Sequence, residues 1–142
     1  KRSDTARINQ QISEVLEKGE RVTVFPEGTT ANGMQLNHFH ASLLQSAVTI
    51  DALLYPVAIS YRNCAGDICQ EAAYIEPSLV LSLQRILSQI SIDVNLTFNR
   101  PIQCGMKNRR ELARLSEQAI ADTLTLPIPH KKAEKLSDLP GE

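Results

Sequence analysis

The sequence predicts an α/β domain in which helices flank a layered, mixed sheet. Stretches with helical spacing of apolar residues alternate along the chain with β-branched runs bounded by proline or glycine, a pattern typical of at least partly parallel sheets. Of the 142 residues 42% are apolar and the formal net charge is -1, whereas disordered chains combine low hydrophobicity with high net charge. We therefore expect one folded domain over residues 1–126. Residues 127–142 hold prolines among mixed charges and predict a mobile tail.

The first element is an amphipathic helix over residues 4–18. Its apolar residues recur on one helical face, at Ile8, Ile12, Val15 and Leu16. Ser3 or Asp4 can cap the start of this helix, because both side chains accept hydrogen bonds from orphan backbone N–H groups. Gly19 stands where a left-handed residue commonly ends a helix.

A strand and a second helix are expected next. Residues 21–25 read Arg-Val-Thr-Val-Phe, and β-branched and aromatic residues are enriched in strands. Pro26 must end this strand, since proline has no N–H group to donate to a sheet ladder. Residues 39–50 return to helical spacing of apolar residues and predict a helix.

The middle of the chain predicts a β-hairpin. Residues 53–61 read as a buried strand in which Pro56 lies near the beginning or at a sheet edge. The turn residues Asn, Gly and Asp occur within residues 63–67, between two strand-like runs. Residues 55–62 and 68–75 are therefore expected to pair.

Three further elements complete the predicted fold. Residues 78–87 predict a helix that is apolar on more than one face, for which core packing is the default and a lipid-contacting surface the alternative. Residues 92–98 alternate apolar with polar side chains, which indicates a strand with one wet face. Residues 108–124 predict a helix with Leu112 and Leu115 on its apolar side.

Composition and residue spacing argue against a nucleic-acid partner, a zinc site and a membrane-spanning segment. Lys and Arg number 15 against 16 Asp and Glu, so no basic excess points to a nucleic acid. Cys64, Cys69 and Cys104 are odd in number and fit no zinc spacing, so we expect reduced thiols in a cytosolic compartment. No apolar run approaches the roughly 18 to 20 residues that span a bilayer.

Two groups of polar side chains each allow more than one interpretation of their function. One is a basic cluster at the start of the last predicted helix, which forms either a solvated face or a contact for anionic lipid headgroups: Lys107, Arg109, Arg110 and Arg114. The other is His38 and His40, which share a face if the chain is extended. No Cys, Asp or Glu stands at ligand spacing beside them, so no metal site is expected.

The segment after the first predicted strand has the strongest chemical signal. Residues 24–33 read Val-Phe-Pro-Glu-Gly-Thr-Thr-Ala-Asn-Gly, and open α/β sheets bind ligands at such strand ends. Gly28 lets backbone amides approach a ligand, Thr29 and Thr30 offer hydroxyl donors, and Glu27 can hold a ligand hydroxyl. This set suits a polyol phosphate, with a plain strand-to-loop turn as the alternative. The glycine spacing fits neither the P-loop that binds nucleoside triphosphates nor the glycine-rich fingerprint that binds dinucleotides.

Two sequence blocks resemble a known family, the glycerophosphate acyltransferases of the lysophosphatidic acid acyltransferase type. Phe25-Pro26-Glu27-Gly28-Thr29-Thr30 is similar to the third block of that family, and Tyr55-Pro56-Val57-Ala58-Ile59 is similar to its fourth. Residues 36–40 resemble the family's short Phe-Lys stretch, with His40 where a basic residue is usual. The resemblance extends over residues 2–124 and implies the C-terminal part of an acyltransferase-like α/β domain.

The resemblance also implies the site and the reaction. It places the glycerol-phosphate acceptor at Glu27, Gly28, Thr29 and Thr30, with Arg2 on the phosphate. His40 is a possible further contact. The implied reaction moves a fatty acyl group to a lysophospholipid or glycerol-phosphate hydroxyl at the cytoplasmic face of a membrane. Acyl-CoA or acyl carrier protein is then a cosubstrate, and no other cofactor is implied.

The chain departs from the family pattern at the catalytic pair. The family uses a His followed, after four intervening residues, by an Asp, with the His as general base. None of the three histidines here has an Asp at that spacing. The residue after four intervening positions is Leu43 for His38, Gln45 for His40 and Lys135 for His130. We therefore expect a truncated piece that is inactive alone. The alternatives are a non-catalytic lipid-binding or partner-binding module of the same fold, or a small enzyme that binds phosphorylated sugars.

Overall fold

The computed structural model describes residues 2–74 and 78–128; the side chains of residues 2–4 lie outside this description. Its helices are α1 (Arg2–Glu17), α2 (Gln45–Thr49), α3 (Leu79–Leu87) and α4 (Arg109–Leu124). Its strands are β1 (Leu53–Leu54), β2 (Val57–Asn63), β3 (Ile92–Phe98) and β4 (Ile102–Gln103). Helices and small sheets therefore mix along the chain, which is compatible with the predicted α/β class. The predicted tail begins in the irregular residues 127–128, and the rest of it lies outside the described residues.

The sheets are antiparallel wherever the structure describes them, so the expectation of a partly parallel sheet is not met there. β1 pairs with β4, and β2 pairs with β3 over all seven residues of each strand. The connection from β2 to β3 contains α3 and is long enough for a parallel crossover, yet β3 runs back along β2. Alternation of helices and strands in a sequence does not by itself set strand direction.

The predicted strand over residues 21–25 is wrong for the described structure. These residues have no strand assignment, and Arg21, Val22 and Thr23 are exposed. A β-branched run becomes a strand only when another strand supplies ladder hydrogen bonds, and nothing in residues 2–74 and 78–128 pairs with it. Val24 alone in this run packs against the core.

The predicted hairpin is also wrong beyond its turn. The turn itself forms, since the Asn63 side chain accepts hydrogen bonds from the N–H groups of Ala65 and Asp67, both at 3.0 Å. After one bridge between Arg62 and Ile68, the chain leaves into a 3₁₀ turn at Gln70–Ala72. β2 takes β3 as its partner instead. The far end of the predicted second strand, from residue 75, lies outside the described residues.

The end of α1, the start of α4 and both ends of β3 agree with the prediction. α1 ends before Gly19, which has φ +80° and donates its N–H to Leu16 O at 2.9 Å. α4 begins after Asn108, whose Oδ1 accepts from the N–H groups of Arg110 and Glu111 at 3.0 Å each. β3 covers the predicted residues 92–98. The helix predicted over residues 39–50 is shorter, with a 3₁₀ turn at Ala41–Leu44 that continues into α2.

The core joins α4 to the segment that precedes α2. Its buried residues come from three parts of the chain and pack as one cluster: Leu36, Phe39, Leu44, Cys104, Leu112, Ala113 and Ala121. α1 is fastened to this core by polar contacts. Ser46, only 1% exposed, donates its hydroxyl to the Asn9 carbonyl at 2.8 Å, and Asn9 Nδ2 donates to Ser42 O at 3.1 Å.

α3 does not pack in the core, contrary to the default expectation for residues 78–87. Its buried residue is Ser82, and the helix contacts the 3₁₀ turn at Gln70–Ala72. Five of its six large apolar side chains are between 49% and 74% exposed, at Leu79, Val80, Leu81, Leu83 and Leu87, and Ile86 is partly buried. The β2–β3 ribbon likewise exposes Val94, Leu96 and Phe98. No helix within the described ranges has the length and apolarity that crossing a bilayer requires.

The loop that follows β4 is held by Asp51. Its Oδ1 accepts hydrogen bonds from Gln103 Nε2 at 2.8 Å and from the N–H of Gly105. A Cβ added to Gly105 would overlap this carboxylate, so an alanine there must displace the Asp51 side chain from its hydrogen bonds. Asp51 itself has φ +50°, a conformation that non-glycine residues adopt rarely.

We predict that Gly105→Ala lowers the free energy of unfolding by about 1 to 3 kcal/mol, as overpacking does elsewhere. Urea denaturation measures this loss. In an Asp51→Gly background the carboxylate is absent, so the same Gly105→Ala change should cost much less. Equal losses in the two backgrounds would show that the clash with Asp51 is not the cause.

The three thiols should differ in reactivity. All are free cysteines; Cys64 is exposed, whereas Cys69 and Cys104 are buried. Burial, followed by the negative charge of Asp51, raises the pKa of Cys104. The thiolate is the reactive form.

We predict that iodoacetamide at pH 8 labels Cys64 first and labels Cys104 only on unfolding, as peptide mass mapping can measure. The folded state also holds the Cys104 proton more tightly than the unfolded state does. This contribution to stability is complete below the ordinary thiol pKa and is lost as the pH rises through the raised value. Labelling of Cys104 at the rate of Cys64 in folded protein would contradict this burial.

Candidate functional site

The candidate site is built on a tight turn at Pro26 and Glu27. Gly28 donates its N–H to Phe25 O at 3.2 Å, which closes the turn, and Gly28 has φ +67°. Proline suits the first central position of such a turn, and a positive φ favours glycine at its end. The sequence Phe-Pro-Glu-Gly therefore sets the local backbone without help from a neighbouring strand.

The carboxylate of Glu27 bridges this turn to a second segment. Its Oε2 accepts the N–H of Asn37 at 2.9 Å, and the side chain is half-buried rather than enclosed in an apolar interior. No donor to the other oxygen, Oε1, occurs among the residues that the structure describes. Glu27 thus has one oxygen committed to the fold and one that can accept a ligand hydroxyl.

His40 lies against the same turn. Its backbone N–H donates to Pro26 O at 2.8 Å, and its ring covers Gly28 so closely that an added Cβ would lie 2.9 Å from His40 Cδ2. The side chain remains exposed to solvent. The structure therefore brings the His40 ring against Gly28, next to Glu27, in the grouping that the resemblance implied.

The other predicted site residues are less defined. Thr29 and Thr30 follow the turn, are exposed, and have no hydrogen-bond partner within the described part of the chain. Arg2 begins α1, but its side chain is outside the described residues, so its predicted contact with a phosphate stays a prediction.

Sequence reasoning missed Glu117, a fully buried carboxylate on α4. Its Oε1 accepts the N–H of Phe39 at 2.7 Å and lies 2.9 Å from Nδ1 of His38. Leu115, predicted on the apolar side of α4, is instead 39% exposed, because the buried face is turned toward Ala113, Glu117 and Ala121. The small residues four positions before and after Glu117 were the available signal, since such positions share a helix face.

A shallow cavity lies between the Phe39 segment and α4. It has a volume of about 390 Å³, and its lining comes from that segment and from α4: His38, Phe39, Ala41, Arg110, Ala113, Arg114 and Glu117. The basic cluster predicted at the start of α4 is partly involved, through Arg110 and Arg114. In the described residues no three His, Cys, Asp or Glu side chains are grouped to hold a metal ion.

Comparison with known proteins agrees with the resemblance carried by the turn. The family model described as Acyltransferase matches residues 1–60, which contain the Phe-Pro-Glu-Gly turn and the Pro56 strand start. By this match and by its relatives, the chain belongs to the acyltransferase family. No solved structure gives a significant match.

Three curated relatives show how far the similarity extends. A lyso-ornithine lipid O-acyltransferase of Pseudomonas aeruginosa is 37% identical over 117 residues, 82% of this chain and 45% of the relative. A 1-acyl-sn-glycerol-3-phosphate acyltransferase of Neisseria gonorrhoeae is 33% identical over 68% of this chain and 38% of the relative. A lyso-ornithine lipid O-acyltransferase of Rhizobium meliloti is 30% identical over 88% of this chain and 47% of the relative. The chain spans half or less of the length of these relatives.

We predict that Gly28→Ala displaces the His40 ring. An alanine there meets the ring at 2.9 Å and also takes on a positive φ, which costs about 1 to 2 kcal/mol. Gly66→Ala is the matched control, because Gly66 has φ +87° with nothing near its added Cβ. Both variants should lose similar stability in urea. In ¹H–¹⁵N spectra of the imidazoles only Gly28→Ala should shift the His40 signals, and a similar shift in Gly66→Ala would contradict the contact.

Proposed function

We propose that this chain is the acceptor-binding part of a longer acyltransferase. That enzyme transfers a fatty acyl group from a thioester carrier to the hydroxyl of a lysophospholipid or of glycerol phosphate. The observation that carries the proposal is the Phe-Pro-Glu-Gly turn: the His40 ring lies against Gly28, Glu27 precedes it with one carboxylate oxygen bonded to Asn37, and the exposed Thr29 and Thr30 follow it in the sequence. The family match and the names of the relatives support the reaction class.

The turn has the groups that an acyl acceptor needs. Glu27 Oε1 accepts a hydrogen bond from an acceptor hydroxyl, while the exposed Thr29 and Thr30 hydroxyls donate to a phosphate. The His40 ring adds a hydrogen-bonding group beside Gly28, and Arg2 adds a guanidinium fork for the phosphate. These contacts hold the acceptor so that its reacting hydroxyl meets the thioester carbonyl, which lowers the entropic part of the barrier.

The general base comes from outside this chain in our proposal. None of His38, His40 and His130 is followed by an Asp at the spacing of the family's catalytic pair. A base in the longer enzyme takes the hydroxyl proton as the oxygen attacks the thioester carbon, and the carrier thiolate leaves. Acyl-CoA or acyl carrier protein is the cosubstrate, and no other cofactor takes part. The enzyme acts at the cytoplasmic face of a membrane, where its lipid acceptor resides.

A second candidate acceptor is a lyso-ornithine lipid. The P. aeruginosa relative with that name is similar to this chain over 82% of its length, a larger share than the 68% of the N. gonorrhoeae relative named for glycerol phosphate. Ornithine has amino and carboxyl groups rather than a phosphate. Assays of the longer enzyme with lysophosphatidate and with lyso-ornithine lipid, each with acyl-CoA and acyl carrier protein donors, distinguish the two acceptors and the two donors.

We predict that Glu27→Ala in the longer enzyme lowers kcat/KM for the acceptor at least tenfold, a loss of about 1.4 kcal/mol in transition-state binding. The variant loses both the free oxygen and the bond to the Asn37 N–H. Glu27→Gln keeps one oxygen and should fall between wild type and alanine. Glu20→Ala, an exposed carboxylate on the same stretch, is the control and should change nothing. Wild-type kinetics in a folded Glu27→Ala enzyme would remove Glu27 from the site.

A further inference from the structure

Residues 37–40 are held from two sides by hydrogen bonds to their backbone. On one side the turn provides two acceptors: Glu27 Oε2 for the N–H of Asn37 and Pro26 O for the N–H of His40. On the other side α4 provides Glu117 Oε1 for the N–H of Phe39, at 2.7 Å. The segment is thus fixed between the turn and a helix that is 78 residues further along the chain than Phe39.

Glu117 is a buried carboxylate, and burying it destabilises the fold unless hydrogen bonds compensate for the lost hydration. Glu117 is 0% exposed, and removing a charged group from water is unfavourable unless hydrogen bonds compensate. The Phe39 N–H and the His38 ring both meet its Oε1, within 2.9 Å. Ala113 and Ala121, one turn away in each direction, are buried as well and leave room for the carboxylate.

Phe39 is directly joined to the proposed acceptor site. The next residue, His40, has its N–H bonded to the turn and its ring against Gly28. A displacement of the Phe39 backbone therefore moves both the His40 ring and the Pro26 carbonyl. Misplacement of a binding group by about 1 Å can cost roughly 100-fold in rate.

We propose that Glu117 is a positioning residue for acceptor binding. It orients His40 over Gly28 by holding the Phe39 N–H, although it does not itself touch the acceptor. This inference rests on the proposed function, because it assumes that the turn at Pro26 and Glu27 binds the acceptor. It adds to that proposal a determinant on α4, far from the turn in sequence.

Three substitutions in the longer enzyme test this role. Glu117→Gln keeps an oxygen at the same reach, so acceptor KM should stay within about threefold of wild type. Glu117→Asp keeps the charge but is one methylene too short for the 2.7 Å bond to Phe39 N, and Glu117→Ala removes the acceptor atom. Acceptor KM should therefore rise in the order Glu117→Gln, Glu117→Asp, Glu117→Ala, reaching tenfold or more in Glu117→Ala, while donor KM stays unchanged. Glu111→Ala, an exposed carboxylate on the same helix, is the control and should match wild type.

The outcomes separate the two proposals. If Glu117→Asp behaves as wild type while Glu117→Gln is impaired, the charge of Glu117 matters rather than its bond to Phe39, and the inference is overturned. Donor and acceptor KM rising together would indicate general loosening of the fold and would also overturn it. If Glu27→Ala raises acceptor KM but the Glu117 series does not, the inference fails and the proposed function stands; if neither does, both fail. Should Glu117→Ala not fold, the acceptor KM values of Glu117→Gln and Glu117→Asp still test the inference.

Discussion

The hydrogen bond from the Phe39 N–H to the buried Glu117 carboxylate is the contact on which the rest of this structure depends. The Phe39 side chain lies in the core, and its backbone is fixed by α4, so its neighbours on either side have little freedom. Asn37 and His40 can then meet the turn at Pro26 and Glu27 from a defined direction. Without this anchor an exposed turn of few residues would have no fixed partner, since a loop held only by its own backbone samples many conformations.

Elements that depend on neighbouring residues were predictable from the sequence. Gly19 ends α1 through its own positive φ, and Asn108 caps α4 through its own side chain. Residues 92–98 form the predicted strand β3, although its apolar face is exposed as well as its polar face. Each of these signals acts within one or two turns of chain. The same holds for the turn at Glu27, whose proline and glycine dictate its shape.

Features that depend on distant residues were not predictable in this way. The partner of β2 is β3 and not the nearer run after Gly66, because pairing is decided by which strand packs best in the whole fold. Residues 21–25 have strand composition but no strand beside them in the described structure. Glu117 was not singled out, since carboxylates are rarely buried unless paired and its partners lie on a distant segment. His40 could be placed near the turn only through the resemblance, whereas the structure shows the contact itself.

The β2–β3 ribbon has a consequence for handling this polypeptide alone. Its register puts Val57 opposite Phe98, Ile59 opposite Leu96 and Tyr61 opposite Val94 on one side, with the β3 members more than half uncovered. Within the described residues β3 also has a second edge that no strand occupies. Such unpaired edges can form hydrogen bonds with strands of other copies, and the exposed apolar side chains beside the edge strengthen that association. Concentrated solutions should therefore self-associate reversibly at first, and a mild detergent that coats this surface should keep the molecules apart.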